Sequence, residues 1–570
     1  MVPAFAAPMM KKVGSVKCAL RTARRGRNFR ALTSSVPALR YTGTVSIPNG
    51  PSDQANEAAD GRASYRAGFF FGTLSFLGTA VLGLVSTIIT ARLYGIEIIG
   101  EFTLAAAPAG ILFVLSTVKE QQALIREIND LPPRHPRVTQ LFAAVFTFSW
   151  GLTVVVAALD VVACWFVFHG PLDAPELFAP AAVSVLGYVL VTNTGWNLDT
   201  IFSAFVAGRQ LFWVRLCEAI GFIAIAVGAG IAWKSVWSLV VATIGASLIA
   251  LVLRAVMVRR FVRGRLSWGE YRLGLGVLPT LLPFGLRATP GQMAQGISQQ
   301  AGVWALGIVG STSVVGAYSR AISIPQRLQQ ASLRVTEVLY PTLVGRHSQG
   351  DGHGFDRALI DSIRYEVAGM LLLAATIGGA AHSVLAIFGP GFDQATTALA
   401  LLILYPALAS ITVAQTQGLW AVNRPGTTSI ISIARMTITI GLLIALTPAI
   451  GIVGPAVALL AGYAAGVLLS GVALRPFLNQ RLRATWPIRE RLAVLVAYGA
   501  GFMAAHVIEH LLPTTAGTLL SLVAGSAVYV PVFALCGGLN PRDRARLGQL
   551  LAWARVRLGR PRATAQSTPA

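Results

Sequence analysis

The sequence predicts an all-α polytopic membrane protein of about fourteen transmembrane helices, two six-helix lobes plus two C-terminal helices. Three observations predict it. Only 12% of the 570 residues are charged, about half the share of a soluble domain. Hydrophobic residues reach 54% and mean hydropathy is +0.65, in runs close to the ~20 residues that a span needs. Basic residues gather in alternate connections between those runs.

The runs lie near 69–92, 101–118, 141–168, 178–205, 213–233, 236–257, 277–308, 314–342, 365–388, 394–421, 429–449, 452–474, 492–511 and 514–537. Alternate connections carry Arg126 and Arg137, then Arg209 and Arg215, then Arg254 to Arg272, then Arg346, Arg357 and Arg364, then Arg424, then Arg475 to Arg491. The intervening ones, such as HGPLDAPE, GSTS and GPGFDQ, hold almost no basic residue. Lysine and arginine stay on the cytoplasmic side. Both termini are therefore expected in the cytoplasm of a cell bounded by a cytoplasmic (inner) membrane. An even number of spans follows. The formal net charge of +23 belongs to this topology, and no nucleic-acid partner is expected.

Five stretches organise the chain. Residues 1–66 form a basic arm with no acid before Asp53. It reads as a disordered cytoplasmic arm on anionic lipid, a transit peptide, or sequence ahead of the true start. Residues 67–258 form the N-lobe (spans 1–6) and 259–475 the C-lobe (spans 7–12). Residues 476–538 hold spans 13–14, and 539–570 a basic cytoplasmic tail. The lobes rest on an internal repeat. LYGIEIIGEF at 93–102 is echoed by GIVGSTSVVGAY at 307–318, and VAGRQ at 206–210 by AVNRP at 421–425. The offset spans six helices, so the halves share orientation about an axis along the membrane normal.

The eighth run, YSRAISIPQRLQQASLRVTEVLYP, is the polar exception. Arg320, Arg327 and Arg334 recur every seven residues, with Ser323, Gln330 and Glu337 three residues after each. Seven residues is nearly two turns, so they form one seam. Three mid-bilayer arginines cost roughly 8–10 kcal/mol on the permissive insertion scale. Two arrangements offset that cost: a seam facing a wet cavity, or ion pairs with Glu337, Asp160, Asp199 and Glu218. Pro325 predicts a kink. The seventh run carries Pro279, Pro283 and Pro290 beside Arg287, Gln292, Gln295, Gln299 and Gln300, which predicts a bent or broken helix with a polar lining. Arg435 is a further candidate lining residue.

Asn193, Asn197 and Thr200 share a face of the fourth run, and Asp199 lies beside them. With Asp160 they are the ion-coupling candidates, although such residues also bond neighbouring helices. No phosphate-binding G-x-x-x-x-G-K-[ST] loop occurs. HVIEH at 506–510 matches a zinc-protease spacing but lacks a third ligand, so no metal is expected. Cys18, Cys164, Cys217 and Cys536 are too far apart to suggest a disulfide framework.

ITARLYGIEIIGEFTLA at the first span, GIVGSTSVVGAYSRA before the eighth, and its LYPTL ending resemble polysaccharide flippases of the multidrug/oligosaccharidyl-lipid/polysaccharide superfamily. The likeness covers residues 65–475 in organisation. It implies alternating access around a central cavity and a polyprenyl-diphosphate-linked oligosaccharide as substrate. Polysaccharide polymerases and glycosyltransferases are implied as partners, and membrane lipid as surroundings. No catalytic residue or cofactor carries over, and no enzyme activity is expected. An anionic diphosphate suits Arg287, Arg320, Arg327 and Arg334, with glutamines meeting sugar hydroxyls. A cation-coupled drug antiporter would show unpaired acids in place of a basic seam. A membrane polymerase or ligase would need a sizeable external loop.

Overall fold

The computed structural model describes residues 51–549 except for short breaks at 117–119, 129–130, 132, 206, 263–266, 479–485, 541–542 and 546–547. Met1–Arg62 form one unit, helical from residue 51, and Ala63–Ala570 form a second. The arm expected at 1–66 lies outside the described residues up to residue 50, and the tail expected at 539–570 does so from residue 550.

Seventeen helices follow in chain order. They are α1 (Pro51–Leu115), α2 (Glu120–Ile128), α3 (Pro136–His169), α4 (Phe178–Gly187), α5 (Asn193–Ala204), α6 (Gly208–Ala232), α7 (Val236–Val258), α8 (Trp268–Val309) and α9 (Thr312–Ser348). Then come α10 (Gly352–Gly379), α11 (Ala381–Ala386), α12 (Thr396–Leu402), α13 (Tyr405–Ala421), α14 (Pro425–Ile450), α15 (Val453–Leu474), α16 (Ile488–Leu511) and α17 (Thr515–Leu535). Ten stretches among the described residues are long and apolar enough to cross a membrane. Helices α8, α9 and α10 run 42, 37 and 28 residues, long enough at 1.5 Å per residue but more polar. Large apolar side chains stay on the outside, Phe166 at 69% and Val472 at 71% exposure. That distribution suits lipid as the solvent and inverts the rule for water-soluble domains.

The expected first connection is a single residue. Gly95 (φ 81, ψ 173) kinks α1 into two legs. No L-residue adopts that conformation cheaply, so glycine is required by angle; a Cβ there would meet nothing. Each leg of α1 is then a separate rod. Two other expectations are corrected. Helix α8 does not break at Pro279, Pro283 or Pro290 but continues from Trp268 to Val309. Helix α9, where a kink and not a break was expected, also runs on through Pro325 and Pro341. A proline forfeits one main-chain bond, and packed neighbours in a bundle re-satisfy the freed carbonyl. The ninth span, read at 365–388, is a helix from Gly352 to Gly379 that gives way to α11 at Ala380. Its first turns are too polar for a hydropathy window to include. Glu509 of the HVIEH motif explains the break. It accepts a hydrogen bond from the Ser383 N–H at 2.7 Å, capping α11 from another helix, while His506 stacks on Phe502. No group of three metal-ligating side chains occurs among the described residues.

Helix starts recur at a fixed spacing. Helices α3, α6 and α7 begin 216 or 217 residues before α10, α14 and α15. The two related segments, 96–102 and 312–318, meet. A Cβ on Gly100 would lie 1.8 Å from the Thr312 carbonyl oxygen, and one on Gly316 would lie 2.2 Å from that of Ile96. Thr312 stands to Ile96 as Gly316 stands to Gly100, so the contact is reciprocal, as a two-fold axis demands. Only glycine lets two backbones approach so closely.

Candidate functional site

Away from this crossing, both legs of α1 meet α8 and α9 where the repeated halves face each other. Arg327 of α9 donates from Nη2 to the Gly83 carbonyl of α1 at 3.1 Å. A Cβ on Gly83 would lie 2.2 Å from Arg327 Nη1, so the guanidinium occupies the space a side chain would fill. Across the axis, Gln300 of α8 packs its amide against Gly110 of α1, where a Cβ would come within 2.8 Å. A shift of 216 residues carries one pair onto the other to within one position. The shift places Arg327 on Gly110 and Gln300 on Gly83, so the first half supplies both glycines and the second half supplies a guanidinium to one contact and a neutral amide to the other.

The partner of Arg327 is a carbonyl, and its charge is not cancelled. Arg320, two turns above, is half-buried, and its Nε has no hydrogen-bond partner. Among the described residues no carboxylate pairs with either one. Gln295 and Gln299 of α8 are half-buried at similar depth. Arg287, Arg334 and Glu337 lie outside the described side chains.

Arg435 is placed elsewhere. It is buried between α14 and α15, its guanidinium 4.5 Å from the Tyr463 ring centre, with Nη2 unpartnered. Tyr463 stacks on Tyr405 at 5.4 Å, and Tyr405 donates to Gln329 Oε1 of α9 at 3.0 Å. An aromatic chain thus separates Arg435 from the seam helix. A cation over an aromatic face is a recognised way to hold a desolvated guanidinium.

The ion-coupling candidates do not form one site. Asn197 donates to Ser149 Oγ at 3.3 Å and to the Asn193 carbonyl at 2.9 Å. Asp199 accepts from Arg254 Nε at 2.8 Å, and the same arginine reaches Glu218 at 3.0 Å. Asp160, on α3, keeps one buried oxygen without a partner. Of the acids expected to answer the α9 seam, Asp199 and Glu218 are thus committed to Arg254, which sequence reasoning had assigned to a loop. Arg364 was misread in the same way. It is buried among Asp361, Glu490 and Asp543, at 3.2, 2.8 and 3.1 Å, and fastens α16 and the residues after α17 onto α10.

Reasoning from sequence also passed over Gly83 and Gly110, whose role appears only when their partners are known. It missed Glu366 too, a carboxyl inside an expected span, which the rarity of such residues in membranes could have flagged.

The family described as polysaccharide biosynthesis protein matches residues 65–346. No curated protein sequence matches the chain. Among solved structures, the lipid II flippase MurJ in an inward closed conformation superposes with a TM-score of 0.64 at 13% identity, over 82% of this chain and 98% of its own. An inward-facing multidrug resistance MATE family transporter of the MOP superfamily gives 0.53 at 15%, over 71% and 94%. The eukaryotic MATE transporter AtDTX14 gives 0.51 at 14%, over 74% and 96%. These identities establish a shared fold. Residues 65–346 are thus similar to the polysaccharide biosynthesis protein family, and the chain has the fold of the MurJ and MATE transporters.

Proposed function

We propose that this protein flips a polyprenyl-diphosphate-linked oligosaccharide across the bacterial cytoplasmic membrane by alternating access. In this reading residues 67–258 and 259–475 are the moving lobes, 476–538 ride on the second, and both termini face the cytoplasm. One observation carries it. Arg320 and Arg327 lie between the repeated halves with no carboxylate partner among the described residues. Uncompensated guanidiniums in a membrane call for an anion, and planar guanidinium groups suit phosphate oxygens. The half-buried glutamines of α8 offer donors and acceptors to sugar hydroxyls. A cation-exchanging relative would need free carboxylates here. Of the ion-coupling candidates, Asp160 keeps one unpartnered buried oxygen, and Asp199 is already paired with Arg254. The reading implies a polymerase and glycosyltransferases nearby, which supply and consume the lipid-linked substrate.

The test is flipping of a fluorescent polyprenyl-diphosphate saccharide in proteoliposomes. Wild type should move it. Arg327→Ala should insert normally and not move it, and Arg327→Lys should move it slowly. Wild-type rates in Arg327→Ala would remove the seam from the pathway.

A further inference from the structure

A second buried carboxyl has no arginine at all. Glu366 lies midway along α10 and is 6% exposed. Its Oε2 lies 2.5 Å from Ser332 Oγ of α9, and its Oε1 accepts from Ser362 Oγ at 3.2 Å. Ser332 Oγ lies 2.9 Å from Ser410 Oγ of α13, which donates in turn to the Pro406 carbonyl at 2.8 Å.

Counting protons decides how this cluster works. It contains four hydrogen-bonding contacts, and the three serine hydroxyls supply one proton each. The fourth contact is complete when the carboxyl supplies a proton of its own. Then Glu366 O–H donates to Ser332, Ser332 to Ser410, and Ser410 to Pro406, in one direction from α10 through α9 to α13. With the carboxylate form, Ser332 must turn its proton back to Glu366. Ser410 can then satisfy either Ser332 or Pro406, and the link across the three helices loses one bond.

Among the described residues, no charged side chain answers Glu366. On α10, Asp361 and Arg364 are occupied with each other and with Glu490 and Asp543. On α9, Arg327 bonds the Gly83 carbonyl, and Arg334 and Glu337 lie outside the described side chains. Helices α12, α13 and α17 have no Asp, Glu, Lys, Arg or His. On α11 His382 is exposed, and on α16 Glu509 is held by the α11 cap and His506.

We propose that Glu366, Ser332 and Ser410 form a proton-binding relay, in which uptake or release of one proton at Glu366 makes or breaks the tie between the arginine-bearing helix α9 and helices α10 and α13. The relay has no counterpart in the first repeat: the positions 216 residues earlier are Ser116, Trp150 and Thr194. The proposal rests on the flippase reading for what the proton drives, and not for the site itself.

Two measurements on the full chain in lipid vesicles test it. In pH-difference infrared spectra, a carboxylic-acid carbonyl band should appear and vanish with pH, be absent in Glu366→Gln, and shift in Ser332→Ala. In the flipping assay, an imposed pH gradient should change the wild-type rate, and that response should be lost in Glu366→Gln. A spectrum unchanged by Glu366→Gln overturns the site. A titrating band with an undiminished gradient response in Glu366→Gln overturns the coupling. Titration in a wild-type protein that flips nothing would leave the proton site standing and overturn the flippase reading instead.

Discussion

Arg254 and Arg364 are buried among carboxylates, and Arg320 and Arg327 are not. Arg254 holds Asp199 and Glu218 inside the first repeat, and Arg364 holds Asp361, Glu490 and Asp543 at the base of α10. Each has more negative than positive charge around it, so it is satisfied by the protein alone. Arg327 has a backbone carbonyl and Arg320 an idle Nε. The same residue type serves as a fastener where acids converge and as an open site where they do not. The count of arginines in a membrane helix is thus less informative than the whereabouts of the acids.

The largest effect should come from breaking a fastener. Arg254→Ala leaves Asp199 and Glu218 facing each other, and is expected to cost about 3–5 kcal/mol, the usual range for orphaning a buried ion-pair partner. Thermal unfolding in detergent would report it, and an unchanged melting point would erase the distinction between the two classes of arginine. Arg327→Ala should do the reverse: leave melting nearly unchanged and abolish flipping. Gly100→Ala comes next. Its Cβ would strike main chain, which cannot step aside, so the crossing must part at about 1–3 kcal/mol, the range for overpacking. A cysteine at Val315, fully buried there, should then become open to thiol reagents. Gly83→Ala should act more gently, because it meets the movable end of Arg327; flipping should slow without stopping. The smallest effect lies at Asp351, in the connection between α9 and α10. The Gly354 N–H and Arg346 hold its carboxyl below the ordinary range. Its contribution is complete above the unfolded value and is lost as pH falls through the lower folded one. Asp351→Asn should therefore flatten the acid side of the stability profile below about pH 4, measured by melting across that range.

Much of the fold was legible because lipid imposes simple demands. Apolar runs of span length, a basic bias in alternate connections and the glycine motif at 93–102 and 307–318 are all local signals. That the two copies of the motif would meet, main chain against main chain, was not in the sequence reading. What stayed hidden depended on partners distant in sequence. Arg254 finds Asp199 55 residues away, Arg364 finds Asp543 179 away, and the break after α10 is capped by Glu509 126 residues on. No window of hydropathy contains such pairs. The prolines of α8 misled for the opposite reason: their local cost is real, but the bundle around them absorbs it. Within the candidate site, Arg320 and Arg327 could be picked out by type and spacing. That Arg327 would rest on Gly83 could not.

The meeting of Gly100 and Gly316 has one more consequence. Both surfaces there are main chain, which has no rotamers with which to fill a partial gap. Such a contact seals fully or not at all. A carrier working in a membrane that stores an ion gradient must never open at both ends, and a seal with no intermediate width is a guard against leakage. Any larger residue at either position would prop that seal ajar, and the first harm to the cell would be a slow loss of its gradient.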